Sequence, residues 1–170
     1  MMNLLQRYYY YFRGIKIGKN NKISLFASIK KVYGGSIIIG NLCEIHKGAI
    51  IHSYGGTIRI GDNCSINPYC ILYGHGNLTI GNGVRIAAQT VIIPSNHNYS
   101  NVDRYIYQQG ETSLGVKIED DVWIGSGVKI LDGVCIATGC IIGAGAVVTK
   151  STKPYGIYVG LPAKFIKKRG

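Results

Sequence analysis

Aliphatic residues recur every six positions through the C-terminal half of the chain, at Ile118, Ile124, Ile130, Ile136, Ile142 and Val148. Four residues after each lies a smaller side chain: Val122, Val128, Val134, Cys140, Ala146 and Thr152. The same register runs earlier as Ile39, Ile45, Ile51, then Ile60, Ile66, Leu72, then Ile80, Ile86, Ile92. Gly40, Gly61 and Gly81 directly follow the first member of each early triplet, and Gly125 and Gly143 follow their own aliphatic residues. Triplet starts lie 21, 20, 38 and 18 residues apart, so the unit is an 18-residue coil of three short strands with small insertions and one large one. A register of six, carried by β-branched residues and glycine, excludes amphipathic helices as the main element. Strands of this length stack about 4.8 Å apart into a three-sided prism, with Ile118 over Ile136, Ile124 over Ile142 and Ile130 over Val148. One coil alone cannot bury its apolar file, so the stack is a solenoid.

The pattern predicts an all-β chain of about five parallel coils over residues 39–92 and 118–153, interrupted by an excursion at residues 93–117. Residues 1–38 are expected to form an N-terminal cap and irregular first coils, and residues 154–170 a basic tail. The period does not fix the hand of the spiral, since parallel crossovers are nearly always right-handed.

The chain has 170 residues, 46% of them apolar, which suits a single domain. No apolar run reaches the roughly 18 positions of a membrane span. Met1–Gly14 interleaves Arg7 and Arg13 with the aromatic run Tyr8–Phe12, unlike a secretory leader. Those rings are expected to pack as a cap, with a membrane interface as the alternative. Five cysteines without a CxxC pair argue against a zinc ribbon or a disulfide framework. Cys43, Cys64, Cys70 and Cys140 fall in the small-residue register and read as packing residues of a reducing, cytoplasmic compartment; Cys135 does not. Nineteen Lys and Arg against eight Asp and Glu favour an anionic partner. No nucleic-acid signature accompanies the charge, whereas Lys150, Lys153, Lys164, Lys167, Lys168 and Arg169 crowd the C-terminus, enough for a phosphate-bearing cofactor. His46 and His52, one strand apart, point from different faces and make poor joint metal ligands; no metal is expected.

The runs IGDNCSI, IGNGVRI, IEDDVWIGSGVKI and IIGAGAVVTK resemble the hexapeptide-repeat acyltransferases, nearest to the galactoside, maltose and polysaccharide O-acetyltransferases, over roughly residues 39–168. The resemblance implies a left-handed parallel β-helix, acetyl-CoA as co-substrate, and a homotrimer with active sites between subunits. It also implies a small-molecule or saccharide acceptor, and leaves peripheral membrane association open.

An insertion into an otherwise regular solenoid is where a site is expected. It holds His97, whose ordinary pKa near 6.5 suits proton abstraction from a hydroxyl. In the resembled enzymes a histidine at the start of this loop is the base, and His97 is the matching position. Glu111 resembles the glutamate that orients it, Asn67 an asparagine that holds the acceptor, and His75 stands where an acidic acceptor-site residue is usual. By the same resemblance Trp123, Gly125, Ser126, Ala144, Thr149 and Lys150 line a coenzyme A groove. Lys164 and Lys167 take its 3′-phosphate. The expected reaction is O-acetylation of a sugar or surface-polysaccharide precursor. The alternatives are nucleotide-sugar N-acetylation on the same fold and a non-catalytic basic scaffold. A zinc-dependent γ-class carbonic anhydrase fits poorly, because it needs three converging histidines.

Overall fold

The computed structural model describes residues 4–170; Met1, Met2 and Asn3 of the expected cap lie outside them. After a helix at Leu4–Phe12 the chain winds as a left-handed parallel β-helix of three sheets. The first face runs Lys16–Ile17, Ser36–Ile39, Thr57–Ile60, Leu78–Ile80, Val116–Ile118 and Cys135–Ile136. On the second lie Lys22–Ile23, Glu44–Ile45, Ser65–Ile66, Arg85–Ile86, Trp123–Ile124 and Ile141–Ile142. The third holds Ser28–Lys30, Ile50–His52, Ile71–Tyr73, Val91–Ile92, Lys129–Ile130 and Val147–Val148. An antiparallel pair, Gly156–Val159 with Lys164–Lys168, closes the end of the second face. Both open ends of the spiral are thus blunted, one by the helix and one by the hairpin.

The expected registers hold: Ile118 pairs with Ile136, Ile124 with Ile142 and Ile130 with Val148. These side chains are buried at the centre of the prism, each contributing roughly 2 kcal/mol of apolar burial. There are six coils rather than about five. The additional one is built on Ile17, Ile23 and Ile29, a six-residue spacing within the segment expected to be irregular. It is regular because Asn21 occupies its small-residue slot and satisfies all its polar atoms against backbone. Its amide donates to Gly18 O and Gly40 O, and its carbonyl accepts from Cys43 N.

Neighbouring coils approach closely at the first corner, and this explains the glycine after each first aliphatic residue. A Cβ on Gly40 would sit 2.7 Å from the Gly61 carbonyl carbon. Beside it a ladder climbs the corner: Asn41 N donates to Asp62 Oδ1 (2.7 Å), Asp62 N to Asn82 Oδ1 (2.8 Å) and Asn82 N to Asp120 Oδ1 (2.6 Å). Cys43, Cys64, Cys70 and Cys140 are buried, and each thiol donates to a carbonyl of the next turn, at Gly61, Gly81, Ala87 and Lys153.

The excursion leaves the corner between third and first faces. It ends at Gly115 rather than Lys117, because Val116 is already buried and pairs with Leu78 as the first inward residue of its strand. No described helix is long and apolar enough to cross a membrane.

Candidate active site

The excursion is a flap built on a two-residue antiparallel ladder, Asn96–His97 against Glu111–Thr112, with His97 opposite Glu111. Directly opposed residues point to the same side of a ladder. His97 Nδ1 therefore lies 3.6 Å from Glu111 Oε1, an electrostatic contact just beyond hydrogen-bond length. Both side chains are partly exposed, and His97 lines an open cleft with Asn96, Asn98, Tyr99, Ser100 and Thr112. Because Nδ1 faces the carboxylate, Nε2 is the nitrogen left for another partner.

Within the flap, Gln109 fixes the path of the tip. Its amide donates to Asn101 O and Arg104 O, and its carbonyl accepts from Asn101 N. Asn98 donates to Gln109 O (3.1 Å). Asp132, on the next coil, holds the base: its carboxylate accepts from Leu114 N (2.9 Å) and Gly115 N (2.8 Å) where the chain re-enters the solenoid. Asp132 was not among the expected site residues. Its only signal is a carboxylate at a corner otherwise filled by apolar and small residues, and its partners lie 17 and 18 positions away.

The structure divides the expected cofactor residues into two sets flanking the third face. Gly125, Ser126 and Ala144 stack at the corner between second and third faces, where Gly125 N donates to Ile142 O and Gly145 N to Ser126 O. The closing loop continues this corner, since Val147 N donates to Gly160 O and Ala163 N to Val147 O, which brings Lys164 to its end. Positions Gly127 and Gly145 on the same corner open onto empty space, leaving a strip of bare backbone. Trp123 projects from the second face two residues before the corner, between Arg85 and Ile141, and is exposed. Thr149 and Lys150 lie across the third face, at the corner that bears the flap. Between the sets, exposed Lys129 donates from Nζ to Gly127 O (2.7 Å), a cation that the sequence reading passed over. Lys167 lies farther off, paired with Ile157 in the closing hairpin.

The two expected acceptor residues are placed differently. Asn67 commits its amide to Ile86 O (2.9 Å) at a corner of the second face. His75 lies at the flap's own corner, next to Gly76, whose Cβ would meet Ser113 and Pro94 of the flap base. Its ring stacks on Tyr54 at 4.6 Å and 8°, and its Nδ1 is buried without a hydrogen-bond partner. Tyr73 and His52 extend the stack down the solenoid, where burial and then Lys30 lower the His52 pKa. His46 sits instead beside Glu44, on another face. Among the described residues no three His, Cys, Asp or Glu side chains gather as a metal site.

Residues 115–150 match the family described as bacterial transferase hexapeptide (six repeats). The chain belongs to the hexapeptide-repeat family. Among solved structures, this hexapeptide-repeat chain is similar to AntD, an N-acyltransferase from Bacillus cereus in complex with dTDP-4-amino-4,6-dideoxyglucose and coenzyme A. That likeness has a TM-score of 0.83 and 27% identity, over 97% of this chain and 89% of that one. The galactoside O-acetyltransferase of Escherichia coli K12 is 34% identical over 92 residues, 54% of this chain and 44% of that protein. A chloramphenicol acetyltransferase of Morganella morganii is 48% identical over 60 residues, 35% of this chain and 27% of that protein. The chain spans less than half the length of the curated relatives it matches.

Proposed function

We propose that the protein is an acetyl-CoA-dependent O-acetyltransferase acting on a hydroxyl of a sugar or surface-polysaccharide precursor, with His97 as general base. The observation that carries this reading is the His97–Glu111 pair at 3.6 Å across the flap hairpin. A carboxylate on Nδ1 orients the ring and favours the imidazolium that forms when Nε2 takes a proton. His97 removes the hydroxyl proton as the acceptor oxygen closes on the thioester carbonyl, then returns it to the departing thiolate; no acyl-enzyme is needed. The thioester supplies the activated acetyl group.

The bare strip at Gly127 and Gly145 fits an extended pantetheine arm, which needs backbone groups within reach and no side chain in its way. Gly125, Ser126 and Ala144 would flank it, Trp123 would pack beside it, and Lys164 or Lys129 would meet phosphate as point charges. His75 and Asn67 are the groups assigned to the acceptor. His75 at the base of the flap is the better supported, because its Nδ1 has no partner within the chain. The five apolar side chains the flap leaves exposed, Tyr99, Val102, Tyr105, Ile106 and Tyr107, favour a homotrimer in which each flap covers a neighbour.

Thiol release from acetyl-CoA against a panel of sugars tests the proposal. His97→Ala is expected to lower kcat by about 10²–10⁴-fold, and undiminished turnover would remove the base role from His97. Similarity to AntD over nearly the whole chain favours a second reading, N-acylation of a nucleotide-linked amino sugar. A neutral amine attacks without prior deprotonation, so in that case the same substitution costs about tenfold or less.

A further inference from the structure

The end of the solenoid that bears the first coil carries a surface the proposed reaction does not use. Helix Leu4–Phe12 fully buries Tyr10, at 5% exposure, while Leu5, Tyr8, Tyr9, Tyr11 and Phe12 stay in solvent. The cap expected of these rings is therefore made by one of them. The first coil adds Leu25 and Phe26, the latter 81% exposed, at the turn between its second and third strands. These groups form one surface. A groove lined by Leu5, Gln6, Tyr9 and Leu25 joins the helix to that turn, and a second, lined by Arg7, Tyr8, Tyr11 and Lys16, borders the buried Tyr10 ring. Scattered exposed apolar residues are ordinary, but a continuous patch marks a place of contact.

The charge around the patch has one sign. Arg7, Arg13, Lys16, Lys19, Lys22, Lys30 and Lys31 precede Glu44, the first acidic residue of the chain. Among the described residues only Lys22 of these seven has a carboxylate partner, Glu44 at 2.7 Å. Arg13 lies over the Tyr9 ring at 4.5 Å, which keeps cation and aromatic surface together. A second copy docked end to end would set seven cations against seven. An anionic bilayer satisfies both halves of the surface, since tyrosine and phenylalanine settle at headgroup depth and Lys and Arg meet lipid phosphates.

We propose that the helix-bearing end of the solenoid docks on an anionic lipid bilayer. Tyr11, Phe12, Leu25 and Phe26 enter the headgroup layer, and Arg7, Arg13 and Lys16 lie against phosphate. The flap leaves the fourth coil, three coil spacings or roughly 15 Å from that end, so the His97 cleft stays in water. Docking of this kind does not depend on the acyl-transfer reading.

Co-sedimentation of the full-length protein with vesicles tests it, comparing pure phosphatidylcholine with an equal mixture of phosphatidylcholine and phosphatidylglycerol. Binding to the mixed vesicles is expected to exceed binding to neutral ones about tenfold or more, and to weaken as salt rises. Phe12→Ser with Phe26→Ser lowers vesicle binding roughly tenfold while oligomeric mass and melting temperature are kept. Arg7→Gln with Lys16→Gln reduces the preference for anionic lipid. Equal binding, or none, to the two vesicle types by the unaltered protein overturns the proposal. So does a Phe12/Phe26 variant whose assembly falls apart, because the patch is then a protein interface.

Discussion

At the scale of single residues, His97 and Asp132 divide the work of the flap: one presents a nitrogen to the cleft, and the other ties the returning strand to the solenoid. The histidine was legible from its place in a polar insertion, and Glu111 as its companion from the resemblance. What sequence spacing hides is the mechanical anchor, since Asp132 acts through backbone amides at Leu114 and Gly115. Asp132→Ala is expected to free the flap base, lowering kcat about tenfold at nearly unchanged KM for acetyl-CoA. Its stability cost is about 1–2 kcal/mol for the lost hydrogen bonds. Thiol-release kinetics and denaturant unfolding of the same variant measure the two effects separately. Asn67 illustrates the converse, for its donor is already spent on Ile86 O, a bond that no sequence pattern discloses.

At the scale of the element, each corner is a column rather than a turn, and its polar groups are satisfied by the coils above and below. Asp62 accepts from the Asn41 backbone and side chain, and these bonds, backbone first, hold its carboxyl below the usual range. Glu119 is lowered by Lys117 and then by the Thr138 amide. A carboxylate depressed in the folded state contributes stability that is whole above its unfolded pKa, about 4, and lost as pH falls through the folded value. The melting temperature is therefore expected to be flat from neutrality to about pH 5 and to decline steeply below pH 4. Asp62→Asn should flatten part of that decline in melts recorded across the range. The extra first coil follows from the same columns: Ile17, Ile23 and Ile29 keep the six-residue step, but Asn21 in a slot elsewhere filled by cysteine and valine masks it.

At the scale of the whole molecule, the solenoid separates two candidate activities along its axis, transfer chemistry at the flap and docking at the helix-bearing end. The flap and Trp123 leave large apolar surface outside a single chain. Sedimentation equilibrium is expected to give one species near three times the 18.5 kDa chain mass. If neighbouring chains share sites, mixing His97→Ala with Lys164→Glu chains under exchange conditions should restore activity that neither has alone. A monomer at micromolar concentration would remove the shared site.

By itself the sequence determined the strand period, the vertical pairing of the isoleucine files, the small-residue slots and the position of the insertion. These depend on local periodicity, and each coil repeats the same constraint on its neighbours. Tertiary structure alone decided where the flap ends, that Asp132 holds it, that His75 stacks on Tyr54, and that the cofactor residues flank one face. Those outcomes depend on which residues the winding brings side by side, about 20 to 40 positions apart, and side-chain chemistry at such separations carries no periodic mark.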